Sequence, residues 1–476
     1  MSFSGLFRRK PVLPEATGLK RVLGAFDLTL LGIGAIIGTG IFVLTGIAAA
    51  TQAGPAVVVS FVVAGLACAF AALSYAELAA CVGGCGSAYG YSYAAFGEIV
   101  AWIIGWDLIL EYGVAVAAVA NGWSGYLNNA LASIGMALPE ILRAGPFPDE
   151  GKTPGLVNLP AVVIILILMG LLVMGVRQSA RLNAAMVFVK LLTIAVFVGV
   201  AVFHVDPGHW TPFMPYGWFD RMVDANGVSV TVGVLAAAST VFFAYVGFDA
   251  VSTAVEESRN PQKDVPVGIL ASLGFCTLIY ILVSGLLTGL VPYADLKVSS
   301  PVAHALELVG IDWASGLVAT GVIAGLTTVM LVLYYGLTRI VFAMSRDGLL
   351  PPLFSHVDGR THTPVRTTVL CGLLMAGFAG FVPLRALAEL VNIGTLVAFV
   401  IVCAGVIVLR ITHPELPRPF RAPWGFVFPV LGVLSCGALI AFLPTHTHER
   451  FVLWLLVGLV FYFVYGMRKS VLARGA

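Results

Sequence analysis

Charge is scarce in this chain. Only 11% of its 476 residues are Asp, Glu, Lys or Arg, and the formal net charge is +2. A soluble globular domain carries roughly 25% charged residues, so these residues are too few to cover a water-facing surface. No basic stripe offers itself to nucleic acid. Other signatures are missing as well. The eight histidines fall in loops or at the ends of apolar stretches, and neither an H-E-x-x-H motif nor a paired-Asp motif occurs, which speaks against a metal-dependent membrane enzyme. Without a G-x-x-x-x-G-K-[ST] loop, nucleotide-driven pumping is disfavoured. No ring of charge or filter loop points to a channel. The seven cysteines are odd in number and lie mostly inside apolar runs, so they do not read as a disulfide framework. Cys81 and Cys85 lack a neighbouring His or second Cys pair, and small packing residues are the expectation there rather than zinc ligands. Behind Arg8, Arg9 and Lys10 there is no apolar stretch with a cleavage site, so the first apolar span is expected to act as the targeting signal.

What the chain has in abundance is apolar length. Apolar residues make up 59% of it, and a helix crossing a bilayer needs about 20 of them in a row. Twelve candidate spans follow, at 28–50, 55–80, 98–127, 160–177, 183–204, 231–255, 267–291, 313–344, 367–383, 387–410, 425–443 and 451–467. Lys and Arg crowd the segments on one side. With the N-terminus inside, the cytoplasmic segments collect 19 of the 26 basic residues and the outer ones 6, and Lys190 lies within a span. The positive-inside rule then places both termini in the cytoplasm.

Two spans carry residues that weaken a helix at its centre. "LLGIGAIIGTGIFVLTG", at 30–46, holds Gly32, Gly34, Gly38 and Gly40, each costing about 1 kcal/mol relative to alanine in a helix interior. The spacing does not fit a dinucleotide fingerprint. Two readings remain: close helix packing through a G-x-x-x-G face, or an interrupted helix whose freed N–H groups attract an anion. The sixth span, "VLAAASTVFFAYVGFDAVSTAVEE", places Gly247 and Asp249 at its middle. Interruptions at matching positions in two halves of a chain point to a transport site built from repeats. The two spans are five apart, so the second repeat would be inverted. Amides from span one and carbonyls from span six would together suit an α-amino acid.

The matching segments now carry a family resemblance. "GAFDLTLLGIGAIIGTGIF" (24–42), "YAELAA" with "GSAYGYSYAAFGE" (75–98), "FFAYVGFDAVSTAVEESRNPQKDVPVGI" (242–269) and "SRDGLLPP" (345–352) resemble the amino acid–polyamine–organocation superfamily, close to bacterial relatives of the cationic amino acid transporters. The resemblance implies an all-α polytopic membrane protein with 12 transmembrane helices. Ten would form a five-plus-five inverted repeat, first known from a sodium-coupled leucine transporter, followed by two C-terminal helices. It divides the chain into a cytoplasmic segment (1–27), a first repeat (28–204, unwound near 38–40), a second repeat (231–410, unwound near 245–248), the last two spans (425–467) and a cytoplasmic tail (468–476). One departure from the family is Gly83-Gly84-Cys85-Gly86-Ser87 where Pro-x-Ser-Gly-Ser is usual, a change expected to loosen that connection.

Carried over residue by residue, the resemblance assigns Ile36, Gly38, Thr39 and Gly40 to the substrate carboxylate. It assigns the carbonyls of Phe243, Ala244 and Val246 to the amine. Lys190 matches a lysine that replaces a sodium ion in proton-coupled carriers, and an ionisable residue inside a span is a functional hypothesis in its own right. Glu111 shares a helix face with Asp107 and reads as a second proton-coupling group or as a partner for buried polar atoms. Asp249 reads first as structural, capping the half-helix after the break or holding the broken backbone. Leu333 matches a small residue of the cationic carriers; its bulk is expected to shorten the pocket in favour of small or medium neutral amino acids such as alanine. The expected protein is a permease of the cell (inner) membrane that uses a proton gradient and no cofactor. An exchanger and a sodium-coupled symporter are the alternatives. The sequence leaves open whether a small accessory membrane peptide binds.

Overall fold

Proline marks where many of the helices begin. It stands in the first turn of the helices starting at Leu159, Pro261 and Pro301, and immediately before those starting at Val365, Leu384 and Thr445. At these places its missing N–H costs nothing and its fixed φ already suits the helix. The computed structural model describes residues 7–8, 22–82, 87–147, 154–174, 180–223, 229–358 and 363–474. The motif at 83–86, with Cys85, lies outside the described residues.

In chain order the helices are α1 (Ala25–Ile36), α2 (Thr45–Ala48), α3 (Val57–Cys81), α4 (Ser87–Ala95), α5 (Glu98–Ser133), α6 (Leu159–Val173), α7 (Ala180–Ala201), α8 (Val234–Val241), α9 (Ala250–Thr253), α10 (Pro261–Leu290), α11 (Pro301–Leu308), α12 (Asp312–Arg346), α13 (Val365–Phe381), α14 (Leu384–Thr412), α15 (Val427–Ala441) and α16 (Thr445–Phe461). Among the described residues, 8 helical segments are long and apolar enough to cross a membrane, and α6, α13 and α15 are shorter apolar helices. The first of the 8, Ala25–Cys81, is 57 residues long, more than twice what one crossing needs. The chain turns within it at Gly54, whose φ of +61° favours glycine. The third expected span, 98–127, runs on as helix to Ser133, because no proline intervenes before Pro139.

The purely α expectation needs one correction. Between the fifth and sixth spans, β1 (Asp220–Val223) and β2 (Ser229–Val232) pair antiparallel, with Asp220 opposite Val232. The consecutive β-branched residues Val230, Thr231 and Val232 suit that pairing.

The core is a bundle in which α5 lies against α12 and α14, α10 against α3 and α1, and α7 against α12 and α1. With apolar surface on every side, polar side chains supply specific ties. Ser124 donates to Asn158 Oδ1 (2.6 Å), Asn158 Nδ2 to Asn121 Oδ1 (2.8 Å), and Asn121 Nδ2 to the Ala379 carbonyl (3.1 Å), joining α5, α6 and α13. Glu77 of α3 is buried and bound by Arg410 of α14 through two of its three nitrogens, Nε (2.8 Å) and Nη2, and by the Ala422 N–H at 2.8 Å. Removing one partner from such a buried pair costs about 3–5 kcal/mol.

Candidate substrate and coupling site

Both suspected interruptions are present, and they face each other. α1 ends at Ile36, and Ile37 takes extended dihedrals (φ −71°, ψ 101°) before helical turns resume. In the sixth span, α8 tightens into a 3-10 turn over Phe242–Tyr245; Val246 is extended (ψ 131°) and Gly247 has φ +114°. That left-handed value favours glycine, and a Cβ there would sit 3.1 Å from Ala35. The breaks touch at Gly40 and Ala244. A Cβ on Gly40 would overlap the Ala244 backbone, 2.7 Å from its nitrogen.

The four glycines therefore do different work. Gly32 lets α10 approach, since a Cβ would come within 2.6 Å of the Ser272 Cβ. Gly40 lets one break meet the other. Gly38 has room beside it: its nearest side-chain neighbour would be Val329 of α12 at 3.6 Å, an ordinary contact. Packing alone does not demand glycine at 38. The G-x-x-x-G packing expectation is thus not met at Gly38; close packing acts instead at Gly32 and Gly40.

A broken helix frees carbonyls, and side chains from other helices take them. In an unbroken α1 the Gly34 carbonyl would accept from the N–H of residue 38. Here Lys190 Nζ donates to it at 2.6 Å. Lys190 is 1% exposed and reaches across from α7, with its stem against Gly325 of α12. The ammonium sits at the carbonyl end of α1, where the helix dipole favours a cation. The Tyr280 hydroxyl of α10 lies 2.9 Å from the Ile36 carbonyl and 2.8 Å from that of Ala244. One phenol thus spans both breaks, donating its single proton to one carbonyl at a time. Tyr126 of α5 donates to the Phe42 carbonyl at 2.8 Å. Nothing in the sequence marks Tyr280 or Tyr126 apart from other tyrosines in apolar runs; only helix packing reveals them.

The remaining expected residues are placed as follows. Thr39 is fully buried in the notch over Gly122 of α5, and its hydroxyl has no partner. Phe243, Ala244 and Val246 are all buried at the second break. The Phe243 carbonyl already accepts from the Val246 N–H at 3.2 Å, so a ligand would use its second lone pair. Leu333, 4% exposed, lies near the edge of the α12 face that presents Gly325 to Lys190, Val329 to Gly38 and Gly336 to Tyr112. Val329 stands beside Gly38, a neighbour that sequence reasoning missed; its spacing of four from Leu333 was the available signal.

Glu111 and Asp107 of α5 face inward, at 1% and 0% exposure. Glu111 Oε1 and both Asp107 oxygens lack partners, and Asp107 lies over Gly394 of α14. Beside Glu111, Tyr112 donates to Asp249 Oδ2 at 3.1 Å. Asp249 makes no side-chain cap to α9; its role as a cap is corrected to that of a tie between the second break and α5. At the end of the bundle where α1 begins and α9 finishes, the two segments are stitched by a short parallel bridge. Leu23 N donates to the Glu257 carbonyl (3.0 Å), and Arg259 N to the Leu23 carbonyl (2.8 Å). Glu257 also pairs with Arg339 at 3.4 Å, an exposed contact worth little in stability.

The profile of the amino acid permease family matches residues 23–464, almost the entire bundle including both breaks. The chain belongs to the amino acid permease family. The permease is 50% identical over 472 residues to a branched-chain amino acid permease of Bacillus subtilis, covering 98% of each chain. It is 48% identical over 477 residues to a methylthioribose transporter of the same organism, covering 99% of this chain and 100% of the relative. Human cationic amino acid transporter 4 is 39% identical over 424 residues, which are 87% of this permease and 64% of the human protein. With its long apolar helices, the permease is an integral membrane protein.

The Tyr280 bridge makes a testable claim. Tyr280→Phe should leave a folded permease, because the ring keeps its packing against Phe61 and Tyr245. Two buried carbonyls then lose a donor, and one such loss costs about 1–3 kcal/mol. A melting temperature lowered by a few degrees is expected, with substrate affinity changed because the spacing of the breaks is no longer pinned. A variant matching the parent in both measurements would show that the bridge is idle.

Proposed function

We propose that the permease is a secondary active carrier of small or medium neutral amino acids, driven by protons. Twelve spans with both termini cytoplasmic and a five-plus-five inverted repeat accommodate the helices and the distribution of basic residues. The substrate carboxylate is held by amides at Gly38, Thr39 and Gly40, the start of a half-helix. The ammonium is held by carbonyls of the second break. The observation that carries this reading is the Lys190 ammonium on the Gly34 carbonyl at 2.6 Å. It ties α7 to the broken span by a bond that is charge-assisted while the lysine is protonated. Losing a proton weakens the tie, and the bundle is then free to rock. Glu111 stands as the second proton-carrying group.

Counterflow of labelled alanine in proteoliposomes tests the carrier, and dissipating the proton gradient tests the coupling. Absence of counterflow with every common amino acid would refute the reading. A second reading has a specific basis: the relative named a methylthioribose transporter is almost as similar as the branched-chain permease. A thiosugar has neither ammonium nor carboxylate, so labelled methylthioribose in the same assay separates the two.

Neutral selectivity follows from the apolar face of α12. Val329 and Leu333 line it, and no carboxylate occurs in that helix between Asp312 and its end at Arg346. A cationic side chain there would be left unpaired, at high cost. Leu333→Ser should open space and shift preference toward longer cationic substrates. A methylene-sized change in an apolar pocket is worth about 1–3 kcal/mol, so a graded shift of roughly tenfold or more in the arginine-to-alanine ratio is expected in competition assays. Tight arginine binding by the parent, with none of alanine, would show that the floor of the pocket is elsewhere.

A further inference from the structure

Where α14 hands over to α15, the linker 413–426 passes the first turns of α10 and leaves a groove of about 370 Å³ between them. Along α10 the lining changes character. It begins with Asn260, Gln262 and Lys263 and continues one turn later with Val267, while Pro419 and Phe420 form the facing wall. That wall is held from both sides. Arg418 donates through Nη2 to the carbonyls of Leu409 (3.0 Å) and His413 (2.9 Å), and the Ala422 N–H binds Glu77 at 2.8 Å. Residues 419–421 are pinned between these ties, and Arg418 is already engaged with carbonyls.

The groove crosses the edge of the bilayer. Gln262 and Lys263 are exposed at the start of α10, whereas from Val267 onward the exposed residues of that helix are apolar, Phe275, Leu278 and Leu282 among them. Water gives way to lipid within the single turn that separates 263 from 267. Trp424, exposed and stacked on Phe428 at 5.1 Å, is the kind of aromatic anchor that marks such a boundary. Among the described residues the lining holds one cation and no acid. Exposed Arg259 and Arg421 flank it in the chain, and Asp264, the acid of the first turn of α10, is turned onto the Asn260 N–H at 3.1 Å. A soluble anion would meet Lys263 and leave the apolar walls wet. A bare acyl chain would cover the walls and leave the charge. A zwitterionic headgroup would bring its own cation among three others. An amphiphile with an anionic head meets both ends of the groove.

We propose that this groove binds an anionic phospholipid of the leaflet at this end of the bundle, its phosphate on Lys263 and the side-chain amides of Asn260 and Gln262, and its first acyl carbons between Val267 and Phe420. Asn260 makes no side-chain cap to α10, so its amide can turn to the phosphate. The bound lipid joins the segment bridged to Leu23, at the start of α1, to a linker tied to Glu77 of α3, and so stiffens this end of the bundle. The site takes a second class of ligand and stands whether or not the permease carries amino acids.

Dioleoyl phosphatidylglycerol is the probe. It is titrated into the permease purified in a neutral detergent while the melting temperature is followed, since a ligand of the folded state raises it. Phosphatidylglycerol should raise it saturably. Phosphatidylcholine with the same chains, and glycerol phosphate, the head without chains, should not. Lys263→Gln removes an exposed charge and should keep the parent's melting temperature without lipid. It should need about tenfold more phosphatidylglycerol for half the shift, the loss of one hydrogen bond to a charged group. Val267→Ser, at the apolar end, should weaken the response in the same direction. Lys297→Gln removes an exposed charge beyond the other end of α10 and should leave the response untouched. Absence of any shift with phosphatidylglycerol overturns the site. An equal shift with phosphatidylcholine would show that only chains are read, and an equal shift with glycerol phosphate that the groove takes free phosphate; either overturns it too. So does a parent-like response in Lys263→Gln or Val267→Ser, or a loss in Lys297→Gln that matches theirs.

Discussion

Lys190→Ala abolishes uptake driven by an inward proton gradient and does not by itself create sodium dependence. The expectation rests on where the lysine is and on what it touches. Its side chain crosses from α7 to the carbonyl end of α1, 1% exposed, and makes its recorded bond to Gly34 at 2.6 Å. Alanine leaves that carbonyl buried without its partner, at a cost of about 1–3 kcal/mol, and leaves a void against Gly325. It also removes a basic group that links the broken span to the fifth. Sodium does not fill the place, because a sodium site needs several oxygen ligands in a closed shell and the substitution supplies none. Gradient-driven uptake should fall to the level of empty vesicles, measured with labelled substrate at several external pH values. Lys190→Arg offers a control that keeps the charge but cannot give up its proton; it should remain coupled to nothing. Undiminished uptake by Lys190→Ala under a proton gradient would remove the lysine from the mechanism.

Gly40→Leu eliminates amino acid binding, and Gly40→Ala weakens it severely. The first break is not merely irregular; it is pressed onto the second. Even a methyl at Gly40 would overlap the Ala244 backbone, with its nitrogen at 2.7 Å. Backbone cannot rotate out of the way as a side-chain tip can, so the two breaks must separate. Overpacking of this kind costs typically 1–3 kcal/mol, which a large bundle tolerates. Binding as proposed does not tolerate it, because that reading needs the amides of one break and the carbonyls of the other at the spacing of a single α-amino acid. The expected result is a monodisperse protein whose melting temperature no longer rises with amino acid, since stabilisation by ligand requires binding to the folded state. Normal ligand stabilisation in Gly40→Leu would contradict the meeting of the breaks as the binding element.

The sequence by itself determined that the chain lives in a membrane, that two spans break, and where. Scarce charge and long apolar runs decide the solvent, and glycines with an aspartate at mid-span decide the interruptions, because both are properties of local composition. The extended Val246 falls within the expected 245–248, whereas the first break centres on Ile37, just before the expected 38–40, and Thr39 and Gly40 are already helical. Lys190 and Glu111 also stood out locally, as ionisable groups in apolar company. The tertiary structure decided what these groups meet. That Gly40 faces Ala244 while Gly32 faces Ser272 depends on which helix lies alongside, and four glycines in one run look alike until it does. Tyr280 was invisible for the same reason: its hydroxyl matters because α10 passes both breaks at once. The β1–β2 hairpin, too, formed from a stretch whose pattern was overshadowed by its apolar neighbours. In a bilayer the hydrophobic effect fixes which segments enter but does not pair them. Pairing comes from small-residue notches and single hydrogen bonds, and those are relations between distant residues that no local reading of the chain contains.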